Sequence, residues 1–139
     1  MQIRTAIILC GGKGTRLGKL GQKIPKTLVK LHKHPILWYI LKSLNRNKFN
    51  HYILPLGYKG KKIKDYIINH PEFKNFNIDL INAGLNTSIA KRIYKVKNNI
   101  TSNNFLIVNG DAVFNANLNE IYSKHLKRKS DMSFICCEA

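Results

Sequence analysis

The alternation of short apolar runs with amphipathic segments is the feature of this sequence that most limits its fold. Residues 4–10 (RTAIILC) form a continuous apolar run that ends in glycines, which is typical of a strand buried on both faces of a parallel sheet. Four further runs predict strands over residues 52–56, 78–81, 105–109 and 132–136. Apolar residues at helical spacing predict helices over residues 35–45, 61–69, 88–98 and 118–128, the first with Pro35 at its first helical position.

Strands that alternate with helices favour βαβ units, whose right-handed crossovers produce a mostly parallel sheet. We therefore expect a three-layer, Rossmann-like α/β fold with helices on both faces of the sheet. At 139 residues the chain has room for one domain with a hydrophobic core, so residues 1–139 are predicted to form a single domain. Ligands of such sheets bind at the carboxyl ends of the strands, so the loops of interest follow Cys10, Leu56, Ile81 and Asn109.

The loop after the first predicted strand, residues 11–17 (GGKGTRL), combines glycines with cationic side chains. Glycine lets backbone amides approach an anion closely and adopts positive φ, while Lys13 and Arg16 supply positive charge. The loop is a candidate cradle for a polyphosphate, but a glycine-rich turn after a strand is as often only a tight connection. Its spacing matches neither the dinucleotide-binding fingerprint nor the P-loop.

A second candidate segment is residues 25–28 (PKTL). Lys26 follows a proline, and the stiffened backbone makes it a better positioned point charge than a lysine on a flexible loop. Taken alone, however, Lys26 is better explained as one of the many surface lysines of this chain.

Taken together, residues 9–17 (LCGGKGTRL) and 25–28 resemble the signature of the sugar-phosphate nucleotidyltransferase family, L-A-G-G-x-G-T-R-L followed by P-K-P-[ML]. Within that family the chain is most similar to glucose-1-phosphate cytidylyltransferase. The resemblance implies the fold of nucleotide-diphospho-sugar transferases, of which this chain has the N-terminal, nucleotide-binding part and lacks the C-terminal part. The further matching segments are residues 35–38 (PILW), 57–60 (GYKG), 84–87 (GLNT), 92–93 (RI) and 109–111 (NGD).

The resemblance also implies an activity. A family member transfers the nucleoside monophosphate of an NTP, here with CTP favoured, to a sugar 1-phosphate and releases pyrophosphate, in nucleotide-sugar and surface polysaccharide biosynthesis. Such a reaction needs positioning and charge neutralisation rather than a covalent nucleophile. By similarity, Arg16 holds the leaving pyrophosphate and Lys26 bridges the reacting phosphates. The residues whose backbone holds the nucleotide by the same similarity are Gly11, Gly12, Gly14 and Thr15.

Asp111 comes shortly after the predicted strand over residues 105–109 and matches the metal-binding aspartate of the family. A carboxylate in this position suits Mg²⁺, because the triphosphate and water supply most of the remaining oxygen ligands. The alternative is that Gly110 and Asp111 form only a turn or a helix cap.

The resemblance assigns base recognition to the loop after the third predicted strand. The family's usual T-G-G-R is replaced by IAKR at residues 89–92, and its usual G-D-G by GDA at residues 110–112. The lost glycines would limit close backbone approach, whereas Lys91 would add a phosphate contact. The residues implied to lie by the base and the neighbouring phosphates are Gly84, Asn86, Thr87 and Arg92.

The charge balance indicates an anionic partner, because 24 Lys and Arg residues oppose 7 Asp and Glu residues and the formal net charge is +17. The basic residues are spread along the chain, so a small anionic substrate explains the charge as well as a polynucleotide does, and nucleic acid is not the favoured partner. The alternative function is a truncated, catalytically inactive nucleotide-binding or regulatory module with an acidic partner. Steeply salt-dependent polynucleotide binding would favour that alternative.

Three further features concern location, thiols and assembly. No apolar run approaches the roughly 20 residues of a membrane-spanning helix, and the first residues run straight into a strand, so we expect a cytoplasmic protein with no membrane partner.

Cys10, Cys136 and Cys137 are predicted to be reduced core thiols, since two of them are adjacent in an apolar run. A sheet that ends at residues 132–136 has an unpaired edge, which favours a homo-oligomer or a separate C-terminal half as partner.

Overall fold

The computed structural model describes residues 2–12 and 23–136 of the chain. Four of the strands in this part form one parallel sheet. The first and last residues of each differ by at most one position from those of a predicted strand. The predicted mostly parallel α/β architecture is thereby confirmed. In chain order the strands are β1 (Thr5–Leu9), β2 (Lys30–Leu31), β3 (His34–Pro35), β4 (His51–Leu56), β5 (Ile78–Asn82) and β6 (Phe105–Asn109).

The parallel sheet has the strand order β5, β4, β1, β6. Its two central strands, β1 and β4, are buried along nearly their whole length, which explains their unbroken apolar sequences. The register pairs Ile7 with Ile53 across β1 and β4, and Leu9 with Asn109 across β1 and β6. The carboxyl ends of β1 and β6 therefore lie side by side at one end of the sheet.

The α-helices of the described residues are α1 (Ile36–Arg46), α2 (Gly60–Asn69), α3 (Ile89–Lys95) and α4 (Leu118–Arg128). The last has its predicted bounds. Helix α3 is shorter than predicted because the buried Val96 leaves the helical conformation (φ −101°, ψ 4°), and a 3-10 turn follows. Pro35 is the extended N-cap of α1 rather than its first helical residue, because it pairs in β3. None of these helices is long and apolar enough to cross a bilayer.

Hydrophobic residues are buried on both faces of the sheet, as a three-layer fold requires. On one face, Ala6 and Ile8 of β1 pack in a cluster with residues of α1, α2 and α4. On the other face, Ile7 and Ile53 pack with Val96, just beyond α3. Alternate residues of β1 thus contribute to different clusters, which is the period-two geometry of a strand buried on both faces.

A hairpin of β2 and β3 is present that the sequence pattern did not predict. Two-residue strands are too short for a period-two signal, and His32 adopts a left-handed backbone conformation (φ 56°) without a glycine. The hairpin follows a 3-10 helix, Lys26–Leu28. The Tyr39 hydroxyl of α1 donates a hydrogen bond to the Leu31 carbonyl oxygen at 2.9 Å. The Ile36 backbone N–H also donates a hydrogen bond to the Val29 carbonyl oxygen at 3.0 Å, so the residue that follows the Lys26–Leu28 helix is tied to the start of α1.

The predicted strand over residues 132–136 is wrong, because the structure has no regular element there. The apolar run suggested a buried strand, but a strand also needs a partner edge and cover for its faces. Here Phe134 is 79% exposed and Cys136 is exposed as well. Cys136 is therefore not a core thiol, whereas Cys10 is buried as predicted and Cys137 lies outside the described residues.

Replacing Leu41 by alanine is expected to lower the free energy of unfolding by about 2–5 kcal/mol, because it leaves a cavity between α1 and the sheet. Urea unfolding followed by circular dichroism measures the change. The matched control is Leu85→Ala, since Leu85 is 60% exposed and its replacement should change stability by about 0.5 kcal/mol or less. Equal losses in the two variants would contradict the packing described above.

Candidate active site

A cavity of about 450 Å³ opens at the carboxyl ends of β1 and β6. This is the end of a parallel sheet at which α/β folds bind ligands. Loops after both strands, the Lys26–Leu28 segment and the start of α3 contribute to its wall. The lining residues are Leu9, Cys10, Gly11, Gly12, Lys26, Thr27, Thr87, Ser88, Ile89, Arg92, Asn109, Gly110 and Asp111.

Lys26 and Asp111 meet in this cavity although 85 residues separate them in the chain. The Lys26 Nζ atom lies 2.5 Å from Oδ2 of Asp111, and the two side chains are 41% and 39% exposed. An ion pair this exposed contributes little to stability, because water screens the attraction. The pair can therefore be exchanged for contacts with a charged ligand at small cost. Two residues that the sequence proposed from separate motifs thus share one site.

Gly110 is the point at which three segments of the cavity wall touch. Its backbone N–H donates a hydrogen bond to the Leu9 carbonyl oxygen at 3.2 Å. A Cβ atom on Gly110 would lie 2.7 Å from that oxygen and 2.7 Å from Cγ2 of Thr27, closer than Cβ atoms approach such neighbours. Only glycine lets the end of β6 come this near to β1 and to the Lys26–Leu28 helix, so Gly110 sets where Asp111 lies.

The glycine turn after β1 is described as far as Gly12. Gly11 is buried and Gly12 is exposed, and both line the cavity. A phosphate in the cavity would therefore lie beside backbone rather than beside bulky side chains. The remaining residues predicted for this loop, Lys13, Gly14, Thr15 and Arg16, lie outside the described residues.

Arg92 reaches the cavity from α3 and is only 6% exposed. Its Nε–H donates a hydrogen bond to the Thr87 carbonyl oxygen at 2.8 Å. No ion pair joins it to a carboxylate among residues 2–12 and 23–136. A buried guanidinium without a carboxylate partner leaves net positive charge in the wall, which suits an anionic ligand.

Of the other residues predicted to lie by the base, one lines the cavity and two do not. Thr87 lines the cavity, and its hydroxyl donates to the Ala83 carbonyl oxygen at 2.7 Å. Gly84 adopts positive φ (89°), a conformation in which glycine is favoured, and is not among the lining residues. Asn86 is exposed and is not among the lining residues. The structure therefore brings Thr87 and Arg92 to the cavity and leaves Asn86 outside it.

Sequence reasoning missed Thr27 and Ser88, which also line the cavity. The Thr27 hydroxyl is buried and has no hydrogen-bond partner among the described residues. Ser88 caps α3 by accepting a hydrogen bond from the Lys91 backbone N–H at 3.3 Å. Ser88 carried a recognisable signal, because serine before a helical segment is a preferred N-cap. Thr27 carried none, since its position depends on contacts with Gly110.

The potential metal ligands around Asp111 are compatible with Mg²⁺, which binds few protein groups. In the described part of the wall they are too few for a metal held by protein ligands alone. Asp111 is the only carboxylate among the lining residues that the structure describes. No group of three or more His, Cys, Asp or Glu side chains is clustered as a metal site in the described ranges. Mg²⁺ is commonly held by one or two carboxylates, with phosphates and water completing its octahedron, whereas structural zinc needs four protein ligands.

Glycine backbone at the carboxyl ends of parallel strands is a recurrent phosphate-binding arrangement in Rossmann-like folds, so the fold and the cavity define an α/β protein with a candidate anion-binding site. The chain belongs to the nucleotidyl transferase family, whose sequence model matches residues 5–139. The family predicted from the motifs is thereby confirmed.

Two of the similar proteins are named as nucleotidyltransferases of sugar phosphates, one a cytidylyltransferase and the other a guanylyltransferase. The chain is 36% identical over 140 residues to the probable glucose-1-phosphate cytidylyltransferase of Bacillus subtilis (strain 168), an alignment that covers 86% of this chain and 55% of the relative. It is 33% identical over 130 residues to D-glycero-alpha-D-manno-heptose 1-phosphate guanylyltransferase of Aneurinibacillus thermoaerophilus, over 92% of this chain and 55% of the relative.

A solved structure agrees with these relationships. HddC from Yersinia pseudotuberculosis, crystallised in complex with GMP-PN, superposes with a TM-score of 0.76 and 27% sequence identity, over 88% of this chain and 54% of that chain. The chain thus spans about half the length of the relatives that it matches.

Cys10 is expected to resist alkylation in the folded protein although it borders the cavity. Burial raises the pKa of its thiol, and the positive charge of Arg92 opposes this effect only in part. Because the thiolate is the nucleophile, iodoacetamide at neutral pH should label Cys136 first and Cys10 only after urea unfolding. Peptide mass mapping separates the two cysteines. Rapid labelling of Cys10 in the native protein would contradict its burial.

Proposed function

We propose that this chain binds a Mg²⁺-complexed NTP, with CTP favoured, in the cavity at the ends of β1 and β6. In this proposal it transfers the nucleoside monophosphate to a sugar 1-phosphate and releases pyrophosphate. The observation that carries the proposal is the meeting of Lys26 and Asp111 beside the Gly11 and Gly12 backbone. Cation, carboxylate and glycine amides are the groups that a metal-bound polyphosphate requires.

The reaction is a single in-line displacement. A phosphate oxygen of the sugar 1-phosphate forms a bond to the α-phosphorus of the NTP. The bond between the α-phosphorus and the oxygen bridging to the β-phosphorus breaks, and pyrophosphate leaves with the electron pair. No protein nucleophile is needed, so catalysis consists of positioning the two anions and stabilising the charge of the transition state.

Lys26 is proposed to contact both reacting phosphates. Lys26 is the first residue of the Lys26–Leu28 helix, and the N-cap Pro25 has the fixed φ (−66°) of proline, which supports a well-defined position for the lysine backbone. Ligand binding would move the ammonium from Asp111 to phosphate oxygens. Arg16 is proposed to hold the pyrophosphate, and Gly14 and Thr15 to contact the nucleotide, on the motif resemblance alone.

Asp111 is proposed to hold Mg²⁺ once Lys26 has moved to the phosphates. Bound there, Mg²⁺ supplies charge neutralisation at phosphate oxygens. Oxygens of the triphosphate and of water would supply its other ligands, which fits the presence of one carboxylate among the described residues of the cavity wall.

CTP is the favoured nucleotide because the cytidylyltransferase of Bacillus subtilis shares 36% identity with this chain, against 33% for the guanylyltransferase. Thr87 is proposed to lie near the base, since it borders the cavity. The acceptor is proposed to be a sugar 1-phosphate such as glucose 1-phosphate, in cytoplasmic nucleotide-sugar synthesis for surface polysaccharide.

Removing either charge of the Lys26 and Asp111 pair is expected to weaken nucleotide binding about tenfold or more, since hydrogen bonds to charged groups contribute about 1.5–3 kcal/mol. Calorimetric titration of CTP with Mg²⁺ into Lys26→Met and Asp111→Asn measures the loss. In Asp111→Asn, replacing Mg²⁺ by EDTA should make little further difference.

The controls for that titration are Lys61→Met and Asp65→Asn. Both residues are exposed on α2, away from the cavity, and their replacement makes the same changes of charge. Affinities within about twofold of the unmodified chain are expected. A chain that binds no nucleotide with Mg²⁺ present would overturn the proposed function. Equal losses of affinity in the site and control variants would show that net charge, and not the Lys26 and Asp111 pair, accounts for nucleotide binding.

CTP is expected to bind about tenfold more tightly than GTP, and a mixture of CTP, glucose 1-phosphate and Mg²⁺ should release pyrophosphate. A coupled phosphate assay with pyrophosphatase measures turnover. Tighter binding of GTP would contradict the preference for CTP. Tight nucleotide binding without pyrophosphate release would instead favour the alternative of an inactive binding module.

A further inference from the structure

Two glycines from different loops, Gly11 and Gly57, pack against the guanidinium of Arg92, and the carbonyl oxygen of a third, Gly84, lies against Gly57. Gly11 follows β1, Gly57 follows β4 and Gly84 comes two residues after β5. A Cβ atom on Gly11 would lie 1.2 Å from Nη1 of Arg92, so the guanidinium packs directly against the Gly11 backbone. The only hydrogen bond from this side chain among the described residues is the one from Nε to the Thr87 carbonyl oxygen. The planar group thus acts as a packed surface as well as a charge.

Gly57 also contacts this group of residues. We refer to the contact between Gly11, Gly57, Gly84 and the Arg92 guanidinium as the junction. A Cβ atom on Gly57 would lie 2.9 Å from the Gly84 carbonyl oxygen, 3.0 Å from the Gly11 carbonyl oxygen and 3.1 Å from Nη1 of Arg92. Two of these neighbours are backbone oxygens, which cannot move without moving their loops. Gly57 is therefore required for space, and the G-Y-K-G segment is part of the site without lining the cavity.

The junction constrains the peptide unit between Gly11 and Gly12. The Gly11 carbonyl oxygen faces Gly57, which lies outside the cavity lining. The described residues contain no cis peptide bond. In a trans peptide the C=O and N–H groups point in opposite directions, so the Gly12 N–H points away from Gly57. Gly12 itself borders the cavity.

We infer that Arg92 and Gly57 are positioning residues, which together fix the orientation of the Gly11–Gly12 peptide so that the Gly12 N–H is available to a ligand phosphate. Arg92 supports the peptide through the contact of its guanidinium with Gly11, and Gly57 leaves room for the Gly11 carbonyl oxygen to turn away from the ligand. This inference rests on the proposed nucleotide binding and adds to it. If Arg92 acts in this way, nucleotide affinity depends on the planar shape of its guanidinium as well as on its charge.

The variants that test this inference are Gly57→Ala and Arg92→Lys. The first keeps every charge and adds only a methyl group at the junction. The second keeps the positive charge but loses the planar group. The control is Arg46→Lys, the same exchange at an exposed position near the end of α1. Thermal unfolding by circular dichroism identifies a temperature at which all four proteins are folded.

Two measurements are made at that temperature with CTP and Mg²⁺: calorimetric affinity, and the change in the Gly12 amide signal in ¹H–¹⁵N NMR spectra. Gly57→Ala and Arg92→Lys are each expected to bind at least tenfold more weakly, with the Gly12 signal moving less than half as far as in the wild type. Arg46→Lys should match the wild type in both.

Wild-type affinity in Gly57→Ala would overturn the inference, and so would wild-type affinity in Arg92→Lys, because charge alone would then account for Arg92. Either result would leave the proposed function intact. A wild-type chain with no affinity for CTP would overturn the proposed function and this inference together. If Gly57→Ala does not fold, Arg92→Lys alone decides the outcome.

Discussion

Parallel hydrogen bonding of β1 between β4 and β6 is the constraint on which the site depends. It places Leu9 opposite Asn109, so the turns after both strands start at the same end of the sheet. β1 is buried on both faces, so a one-residue shift of its register would exchange the side chains packed in the two core clusters, and close-packed cores do not tolerate such an exchange. The core therefore sets where the turns that carry Gly11 and Asp111 begin.

Steric room at glycines then decides how closely those turns approach one another. Gly110 touches the end of β1 and the Lys26–Leu28 helix, and Gly11 touches the Arg92 guanidinium. A side chain at either position would separate segments that together form the cavity wall. The glycines of this site therefore serve contacts between loops as much as backbone flexibility within a loop.

The charges of the cavity are held in two different ways. Lys26 and Asp111 are each about two fifths exposed and pair with each other, so their attraction is screened and the pair opens readily. Arg92 is buried and pairs with no carboxylate in the described ranges, so it contributes a fixed positive potential. A site with one exchangeable ion pair and one fixed cation suits a ligand that carries both metal and polyphosphate.

The sequence by itself determined the parallel α/β architecture, since an unbroken apolar run such as residues 4–10 is stable only when both of its faces are covered. Its motifs also identified Lys26, Asp111 and Arg92 as candidates. Only the tertiary structure decided that Lys26 meets Asp111, that Gly57 supports Gly11 from outside the cavity and that Asn86 is exposed. It also decided that residues 132–136 form no strand. The physical reason is common to all four: each depends on contacts between segments distant in the chain, which local periodicity does not encode.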